Sequence, residues 1–455
     1  MTRALIVSSA ISEPGMTPAG VAYVATVLNH YGIAFDILDL SGTIDYVDAP
    51  EELYVPCNSK DWLNPQAIAN AHWIDPFLPH HDDDYDYYFY SSMFSPDMVF
   101  HARHSLTTKR KRNDATTVVG GTALAGLSPE QISIVQTYFD FICVGYDVHR
   151  LVTDVLSSKP SIGYRSGGHQ LFASGPPRSL PDYSLIDLKD FVTVYAGHGC
   201  YYSKCRFCDY PARASNQVYF RDSVEVAQDV WNVFLRNPNV TDVVLALDAY
   251  PERHLKRTAN ALLKNENSVP YNLMLRAEPW IDRELGRLLG ESGCTDVFIG
   301  AEAFDDDILA IMDKGVTAKN TDRAVTALAD YVDVTIGLVL FVPGVSSRSL
   351  KRQLSQLEAV LPYLESIEPE VLTVVRGSQF AKDPKRFGIV TYVTEQSLND
   401  SWCFGLSQDI PWTFEDPGQA ELWFEHVVAL KELCGGLVNE RYWAAIEEVR
   451  GEWSR

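Results

Sequence analysis

The chain has 455 residues, of which 22% are charged, and a formal net charge of −22 at pH 7. Its length predicts two or three domains, because one hydrophobic core seldom extends beyond about 250 residues. The negative charge argues against a nucleic-acid substrate, since a phosphate backbone binds to positively charged surfaces. It is compatible with a cationic substrate, and equally with a charge that only keeps the protein in solution.

Two features bear on cellular location. The sequence has no run of about eighteen apolar residues, so we expect no transmembrane helix and no membrane partner. The first residues lack the ordered basic, apolar and small-residue segments of a signal peptide, and the cysteines outside one cluster show no pairing pattern. We therefore expect a cytoplasmic protein.

Residues 1–155 alternate short apolar runs with helical patterns. An apolar run at residues 3–9 is followed by small and apolar residues at helical spacing over 18–31, and Gly32 marks the end of that helix. An insert at residues 45–84 is rich in Asp, Pro, His and Trp. Beyond it, helical patterns separate three further apolar runs, YDYYFYSS, ATTVVGG and FDFICVG. Strands that are apolar almost throughout predict a parallel sheet with helices on both faces, as in a Rossmann-like domain.

Ligands of such sheets bind at the carboxyl ends of the strands. The predicted strands end in small residues, which let a large flat ligand approach the backbone. These residues are Ser8, Ser9, Ser91, Ser92, Gly120, Gly121 and Gly145. The sequence therefore predicts a ligand site at this edge, and the alternative is a Rossmann-like domain that has lost its ligand.

A turn-rich linker at residues 156–191 precedes a second series of apolar runs. Over residues 192–383 we expect six strands separated by helices: VTVYAG, DVVLALD, YNLMLRAE, DVFIGAE, VTIGLVLFVPG and VLTVVRG. This pattern predicts a partial (β/α)6 barrel, whose chemistry lies at the carboxyl ends of the strands. Residues 384–455 place Trp402, Trp412, Trp423, Trp443 and Trp453 among helical patterns, which predicts a C-terminal helical cap.

The first predicted barrel strand opens into a loop with three cysteines. Cys200, Cys205 and Cys208 have the spacing C-x4-C-x2-C, which lets one turn of backbone direct three thiolates to one point, as iron–sulfur ligation requires. Three ligands on a four-iron cluster leave one iron open, whereas a structural zinc normally has four protein ligands. A zinc site that includes His198 and three unrelated buried cysteines are the alternatives.

The strand, the cysteine loop, an aromatic Phe207 before the last cysteine and the βα array together resemble the radical SAM enzymes. The family loop is C-x3-C-x2-C, so the spacer of Tyr201, Tyr202, Ser203 and Lys204 is one residue longer here. The resemblance implies a [4Fe-4S] cluster on the three cysteines. It also implies that the open iron binds S-adenosylmethionine and that reductive cleavage gives a 5′-deoxyadenosyl radical.

The same resemblance implies contacts to S-adenosylmethionine from the strand ends. Asp248 is expected to meet the amino group, and Arg276 to pair with a carboxylate unless it forms a structural ion pair. Glu302, in GAEAFDDDILAIMDKG, is expected near the cofactor, together with Phe207; Phe341 is expected under the adenine or in the core. Local chemistry predicts that Asp305, Asp306 and Asp307 start the next helix. It also predicts that Lys314 and Gly315 cap that helix and that Arg376 contacts an anion.

The runs VVGGTALAG and FDFICVGYD resemble the cobalamin-binding domain that precedes the core in one large radical SAM class. This resemblance implies that Ser92, Gly120, Gly121 and Gly145 contact cobalamin. The D-x-H-x-x-G motif, which supplies a histidine to cobalt in many cobalamin proteins, is absent, and His30, His101 and His104 stand in other contexts.

The resemblance implies a cobalamin-dependent radical SAM C-methyltransferase of secondary metabolism, in which the radical abstracts a substrate hydrogen. One alternative is a radical SAM dehydratase, deoxygenase or rearranging enzyme, for instance one that dehydrates a diol in an aminoglycoside-like sugar, whose positive charge suits an acidic protein. An alternative of another class is a non-catalytic iron–sulfur or zinc protein. The expected partners are a small-molecule substrate and an electron donor of the flavodoxin or ferredoxin type or a partner reductase.

Overall fold

The chain folds into two compact units. The computed structural model describes residues 2–9, 16–17, 19–40, 63, 65–77, 85–92, 97–121, 124, 129–143, 148–156, 181–208, 218–237, 239–264, 269–375, 377–391, 410 and 412–453. The described residues of Met1–Thr193 and Leu235–Val240 form the first unit. Those of Val194–Phe234, Thr241–Tyr392 and Ile410–Arg455 form the second.

The first unit contains a parallel five-stranded sheet. Its strands are β1 (Arg3–Val7), β3 (Ala34–Leu38), β4 (Tyr87–Ser91), β5 (Thr116–Gly120) and β6 (Phe141–Cys143), and the short strand β2 (Met16–Thr17) does not belong to this sheet. The sheet order is β3-β1-β4-β5-β6, and Ile6 lies opposite Ile37 on one side and Phe89 on the other. The helices are α1 (Ala19–His30), α2 (Pro65–Asn70), α3 (Asp97–Lys111), α4 (Pro129–Val135) and α5 (Val148–Leu156). The expected Rossmann-like sheet is confirmed.

The second unit contains the expected partial barrel. Its sheet runs in the order β14-β13-β12-β11-β10-β7, and neighbouring strands from β10 to β14 are parallel. The strands are β7 (Phe191–Tyr195), which starts in the first unit, β10 (Asp242–Ala246), β11 (Tyr271–Arg276), β12 (Cys294–Glu302), β13 (Asp333–Leu340) and β14 (Ser366–Val371). Two short antiparallel strands, β8 (Gly197–His198) and β9 (Tyr219–Phe220), follow β7.

Helices alternate with most of these strands along the chain, and residues of a strand such as β12 are buried alternately. The helices are α6 (Ser223–Arg236), α7 (Glu252–Leu262), α8 (Arg283–Glu291), α9 (Asp306–Ile311), α10 (Ala318–Leu328), α11 (Ser347–Val360) and α12 (Gln379–Lys382). In β12, for example, Val297, Ile299 and Ala301 are fully buried, whereas the residues between them are half-buried. None of the helices in the described part of the chain is long and apolar enough to cross a membrane.

The sixth barrel strand lies earlier than the sequence predicted. The predicted run VLTVVRG starts at Val371, but the strand is Ser366–Val371 and contains Pro369. A proline lacks the N–H that a central strand needs, yet β14 is the edge strand, where proline is tolerated. The apolar residues Leu372 and Val374 are buried after the strand has ended. Arg376 lies outside the described residues.

The C-terminal part combines helices with a small sheet. Strands β15 (Ile389–Thr391) and β16 (Trp412–Phe414) pair antiparallel, and α13 (Pro417–Cys434) and α14 (Glu440–Trp453) follow. Three indole N–H groups donate to backbone carbonyls: Trp412 to Leu372, Trp423 to Val342 and Trp453 to Trp412. Such bonds are typical of tryptophans that pack in a core. Trp402 lies outside the described residues.

Candidate functional site

The cysteine loop is held at its base by backbone contacts. Gly197 pairs with Phe220 across β8 and β9, and a β-carbon at Gly197 would overlap with the Tyr219 carbonyl oxygen. Glycine is therefore required for this close approach. Two residues later, the Gly199 N–H donates to Asp248 Oδ2 over 3.0 Å. Asp248, at the end of the second barrel strand, thus fixes the backbone immediately before Cys200.

The three loop cysteines are reduced thiols at the carboxyl ends of the barrel strands. Cys205 is buried, and Cys200 and Cys208 are half-buried. Ser203 has a positive φ of 48°, and its hydroxyl donates to the Cys200 carbonyl. A left-handed residue tightens a turn, and Ser203 does so within the C-x4-C spacer. Burial raises the pKa of the Cys205 thiol, and the nearby Lys314 and Arg276 partly offset that rise.

His198 is buried and has a tyrosine partner at one ring nitrogen. Its Nδ1 bonds with the Tyr195 hydroxyl, its ring packs on Tyr219, and burial lowers its pKa. Within the described ranges no three His, Cys, Asp or Glu side chains are close enough to hold one ion. A single zinc draws its ligands to about 2.3 Å from one point. A cluster instead offers several irons, each with its own cysteine, so it does not require the three thiols to meet at one point.

Arg276, at the end of β11, lies against this loop. Its side chain is 6% exposed, and its Nη1 lies 3.7 Å from Cys205 Sγ. Nε donates to Glu278 Oε1 over 2.9 Å, and Nη2 donates to the Lys314 carbonyl over 2.7 Å. The structural ion pair with Glu278, one of the two alternatives for this arginine, is therefore present.

Two tyrosines of the longer spacer cover this ion pair. The Tyr201 hydroxyl donates to Glu278 Oε1 over 2.7 Å, and the Tyr202 ring lies 4.1 Å below the Arg276 guanidinium carbon. The Tyr202 hydroxyl donates to the Asp313 carbonyl over 2.8 Å. Burial and the adjacent Asp313 raise the pKa of Tyr202 to about 12, so it remains a hydrogen-bond donor at neutral pH.

Glu302 and Lys314 form a second buried ion pair, at the end of β12. Lys314 Nζ donates to Glu302 Oε1 over 2.5 Å, and it lies 5.9 Å from the centre of the Phe207 ring. A register shift after Gly300 and a positive φ of 62° at Glu302 direct the strand end toward this pair. Lys314 caps α9 as expected, because its N–H donates to the Leu309 carbonyl over 3.0 Å, and its side chain in addition reaches back to the strand.

Backbone strain gathers in this region. Five non-glycine residues in the described part have positive φ, and four of them belong to the second unit: Ser203, Glu302, Asp313 and Phe341. Such residues are rare and cluster at functional sites, because the surrounding structure must hold them. The Phe341 ring is fully buried and packs on Trp423, Phe424 and Trp453, which is the core role considered for it.

Asp305 caps α9 as expected. Its carboxylate accepts from the N–H groups of Asp307 and Ile308. Arg352 pairs with Asp305 over 2.6 Å, so this acidic run serves the helix and its packing. These contacts match the predicted helix start.

The small residues at the strand ends of the first unit are occupied by internal contacts. Ser92 Oγ lies 2.6 Å from His101 Nδ1, and His101 Nε2 lies 3.0 Å from the Ser8 carbonyl. Ser8 donates to Asp39, and Ser9 donates to Asp97. A β-carbon at Gly121 would overlap with the Ser92 carbonyl oxygen, and one at Gly120 would lie 3.3 Å from Cys143 Cβ.

Strand packing is therefore sufficient to account for both glycines. Gly145 lies outside the described residues. The contacts expected between these residues and cobalamin stay a prediction.

The pairings that the sequence did not predict are those of Lys314 with Glu302, Tyr201 with Glu278 and Tyr202 with Arg276. Lys314 stands in the quoted MDKG stretch, and the two tyrosines stand between the first two cysteines. The sequence signal for these pairings was the presence of two aromatic residues in the spacer between Cys200 and Cys205, which is one residue longer than the family loop. Their partners come from β11 and the end of α9, which the local pattern does not identify.

Comparison with known proteins gives one family and several structures of similar fold. Residues 194–353 match the family model of the radical SAM superfamily. No curated protein matches the chain. The fold is similar to that of the radical S-adenosylmethionine methyltransferase TsrM from Kitasatospora setae with cobalamin and a [4Fe-4S] cluster bound. The TM-score is 0.65 at 13% identity, over 96% of this chain and 91% of that chain.

Two further structures have similar values. TsrM with tryptophan substrate and the analogue aza-SAM bound gives a TM-score of 0.66 at 13% identity, over 96% of this chain and 90% of that chain. Apo OxsB, a cobalamin-dependent S-adenosylmethionine radical enzyme, gives 0.64 at 15% identity, over 93% of this chain and 66% of that chain. At these identities the similarity concerns the fold. The expected resemblance to the radical SAM superfamily is confirmed over residues 194–353, and the similarity of fold extends to the part of the chain that precedes them.

Proposed function

We propose that this chain, whose residues 194–353 form a radical SAM domain, is a cobalamin-dependent radical SAM enzyme and, within that class, a C-methyltransferase. The observation that carries the proposal is the loop with Cys200, Cys205 and Cys208. It provides three reduced thiols at the carboxyl ends of parallel barrel strands, where barrel enzymes place their chemistry. Three cysteine ligands leave one iron of a four-iron cluster open to S-adenosylmethionine.

When bound, a reduced [4Fe-4S] cluster supplies the electron that cleaves S-adenosylmethionine, and cobalamin supplies a methyl group. The protein contributes the binding and the positioning. The three cysteines would hold the cluster, and Asp248 fixes the loop through the Gly199 N–H while its exposed carboxylate stays able to meet an ammonium group. Phe207 and Glu302 are the further residues proposed to contact the cofactor.

Cobalamin is proposed from the similarity of fold. The first unit has the parallel Rossmann-like sheet, and the similarity to TsrM, whose structure holds cobalamin, extends over 96% of this chain. The proposed contacts are Ser92, Gly120, Gly121 and Gly145. We also propose an electron donor of the flavodoxin or ferredoxin type or a partner reductase. A cytoplasmic location is part of the proposal.

Carboxylates along the barrel strands favour a second candidate, an elimination or rearrangement on a cationic substrate. Glu368 and Glu370 lie on the face of β14 opposite the buried Ile367 and Pro369. Glu302, at the carboxyl end of β12, adds its negative charge beside Glu370. Negative charge at this density suits an amine-bearing substrate such as an aminoglycoside-like sugar.

Isotope tracing distinguishes the two candidates. The protein is reconstituted anaerobically with iron, sulfide and cobalamin, reduced, and incubated with S-adenosylmethionine that carries a deuterated methyl group. Deuterated methyl recovered on cobalamin, or in a product when candidate substrates are added, supports methyl transfer. Release of 5′-deoxyadenosine with no labelled methyl on either one favours elimination or rearrangement and contradicts the methyltransferase assignment.

The matched control is a change of a cysteine outside the loop. Cys200→Ala, Cys205→Ala and Cys208→Ala should each abolish cluster absorbance and both reactions. Cys434→Ala, at a buried thiol at the end of α13, should retain them. Retention of the cluster in all three loop variants would refute the ligand assignment.

A further inference from the structure

The Arg276 guanidinium is held on several sides at a fixed distance from one loop cysteine. Nη1 lies 3.7 Å from Cys205 Sγ, within the range of an N–H···S hydrogen bond. Nε and Nη2 are bound to Glu278 and to the Lys314 carbonyl. With three nitrogens engaged and the side chain 6% exposed, the guanidinium has little freedom to turn away from the sulfur.

The longer cysteine spacer supplies the residues that hold this arginine. The Tyr202 ring covers the guanidinium face at 4.1 Å, which is a cation–π contact, and its hydroxyl is anchored on Asp313. Tyr201 holds Glu278, the counter-charge of Arg276. A β-carbon at Gly315 would overlap with the Tyr202 ring, so glycine at 315 leaves the space that the ring occupies.

We propose that Arg276 raises the reduction potential of a cluster held by Cys200, Cys205 and Cys208, and that Tyr202 positions Arg276 for this role. The inference rests on the proposed function, since it requires the cluster. The step is the one-electron reduction of the cluster from the 2+ to the 1+ state by an external donor. Arg276 keeps its proton throughout and acts through the ligand Cys205 as a positioning residue.

The physical reason is the added negative charge of the reduced state. Hydrogen bonds to ligand sulfurs and nearby positive charge stabilise a reduced cluster more than an oxidised one. Arg276 provides both at Cys205, inside a buried environment where charge is weakly screened. Removing the guanidinium also leaves the Glu278 carboxylate near the loop, which acts in the same direction.

The test is a redox titration of anaerobically reconstituted full-length protein without S-adenosylmethionine, followed by electron paramagnetic resonance. Arg276→Met should lower the ratio of reduced to oxidised cluster at a fixed potential by about tenfold, which corresponds to about 59 mV for one electron. Arg287→Met is the matched control. It removes the same charge from the same unit, but Arg287 is exposed on α8 and pairs with Glu291. Its potential should equal that of the wild type.

Two tyrosine variants test the positioning and remain informative if Arg276→Met assembles no cluster. Tyr202→Leu removes the ring and should shift the potential in the same direction, by less than Arg276→Met. Tyr202→Phe keeps the ring and should shift it less than Tyr202→Leu. Equal potentials for the wild type and Arg276→Met, or for the wild type and Tyr202→Leu when Arg276→Met lacks a cluster, would overturn the inference.

The wild type separates this inference from the proposed function. If the wild-type cluster responds to S-adenosylmethionine but the variants have the same reduction potential as the wild type, only the role of Arg276 is contradicted. A wild-type protein that assembles no [4Fe-4S] cluster contradicts both the proposed function and the inference.

Discussion

Gly315→Ala should destabilise the protein by more than backbone strain alone. Gly315 has a φ of 74°, where a residue with a β-carbon costs about 1–2 kcal/mol. The new β-carbon would also overlap with three atoms of the Tyr202 ring. The hydroxyl bond to Asp313 and the contact with Arg276 hold that ring, so relief requires a shift that costs about 1–3 kcal/mol more. The expected total is about 2–5 kcal/mol.

Gly344→Ala is the matched control. Gly344 has a φ of 76°, and a β-carbon there would meet nothing within 4 Å, so only the strain of about 1–2 kcal/mol applies. Urea unfolding of the cofactor-free proteins, followed by far-ultraviolet circular dichroism, measures both variants. Adding Tyr202→Ala to each should remove most of the difference between them. Equal destabilisation by the two glycine changes would show that Tyr202 does not pack against position 315 as described.

Three other variants test buried charges by urea unfolding. Burial lowers the pKa of His426 to about 4, below its usual 6.5, so the wild type should lose stability as the pH falls from about 6.5 to 4. At pH 5, His426→Gln should avoid about 2 kcal/mol of that loss in the free energy of unfolding. Burial raises the pKa of Asp296 to about 6, from 3.8, so stability should fall as the pH rises through that interval. At pH 8, Asp296→Asn should keep about 1–2 kcal/mol of the unfolding free energy that the wild type loses, because solvent partly screens this carboxylate. If the unfolding free energy of either variant depends on pH as that of the wild type does, the corresponding pKa shift is contradicted. Glu302→Gln leaves Lys314, 6% exposed, without its counter-charge and should cost about 3 kcal/mol, most of which Lys314→Met in the same chain should restore. Additive losses in that double variant would contradict the ion pair.

The parts of the fold that follow from local chemistry could be predicted from the sequence. The apolar runs predicted the parallel strands of both units, and Asp305 was expected at a helix start because an acidic residue suits that position. The spacing of the three cysteines predicted the loop. These features depend on residues that are close in the chain.

What depends on distant packing was not predictable. The sequence predicted that Lys314 caps a helix, which its N–H does, but it did not predict that the Lys314 side chain pairs with Glu302. A β-carbon at Gly300 would lie 2.9 Å from Glu302 Oε1 and 3.2 Å from Lys314 Nζ, so glycine at that position leaves room for the pair. The sixth strand was predicted too late in the sequence, because the apolar run continues beyond Val371, where the pairing of β14 with β13 ends. Pro369 indicates the end of a strand unless it is known that β14 lies at the edge of the sheet, where proline is tolerated.

The serines and glycines of the first unit show a similar limit. Small residues at strand ends predicted room for a ligand, but Ser92 bonds with His101, and Gly121 adjoins the Ser92 carbonyl. Internal packing and ligand access both require small side chains there. The residue types alone do not distinguish the two roles.

The most direct test of the central claim is the electron paramagnetic resonance spectrum of the reduced, anaerobically reconstituted protein, recorded with and without S-adenosylmethionine. An open iron on a cluster held by three cysteines predicts a [4Fe-4S]⁺ signal whose g-values change when the cofactor is added. A signal that stays the same at saturating S-adenosylmethionine, or a protein that binds zinc and shows no cluster signal, would contradict the account.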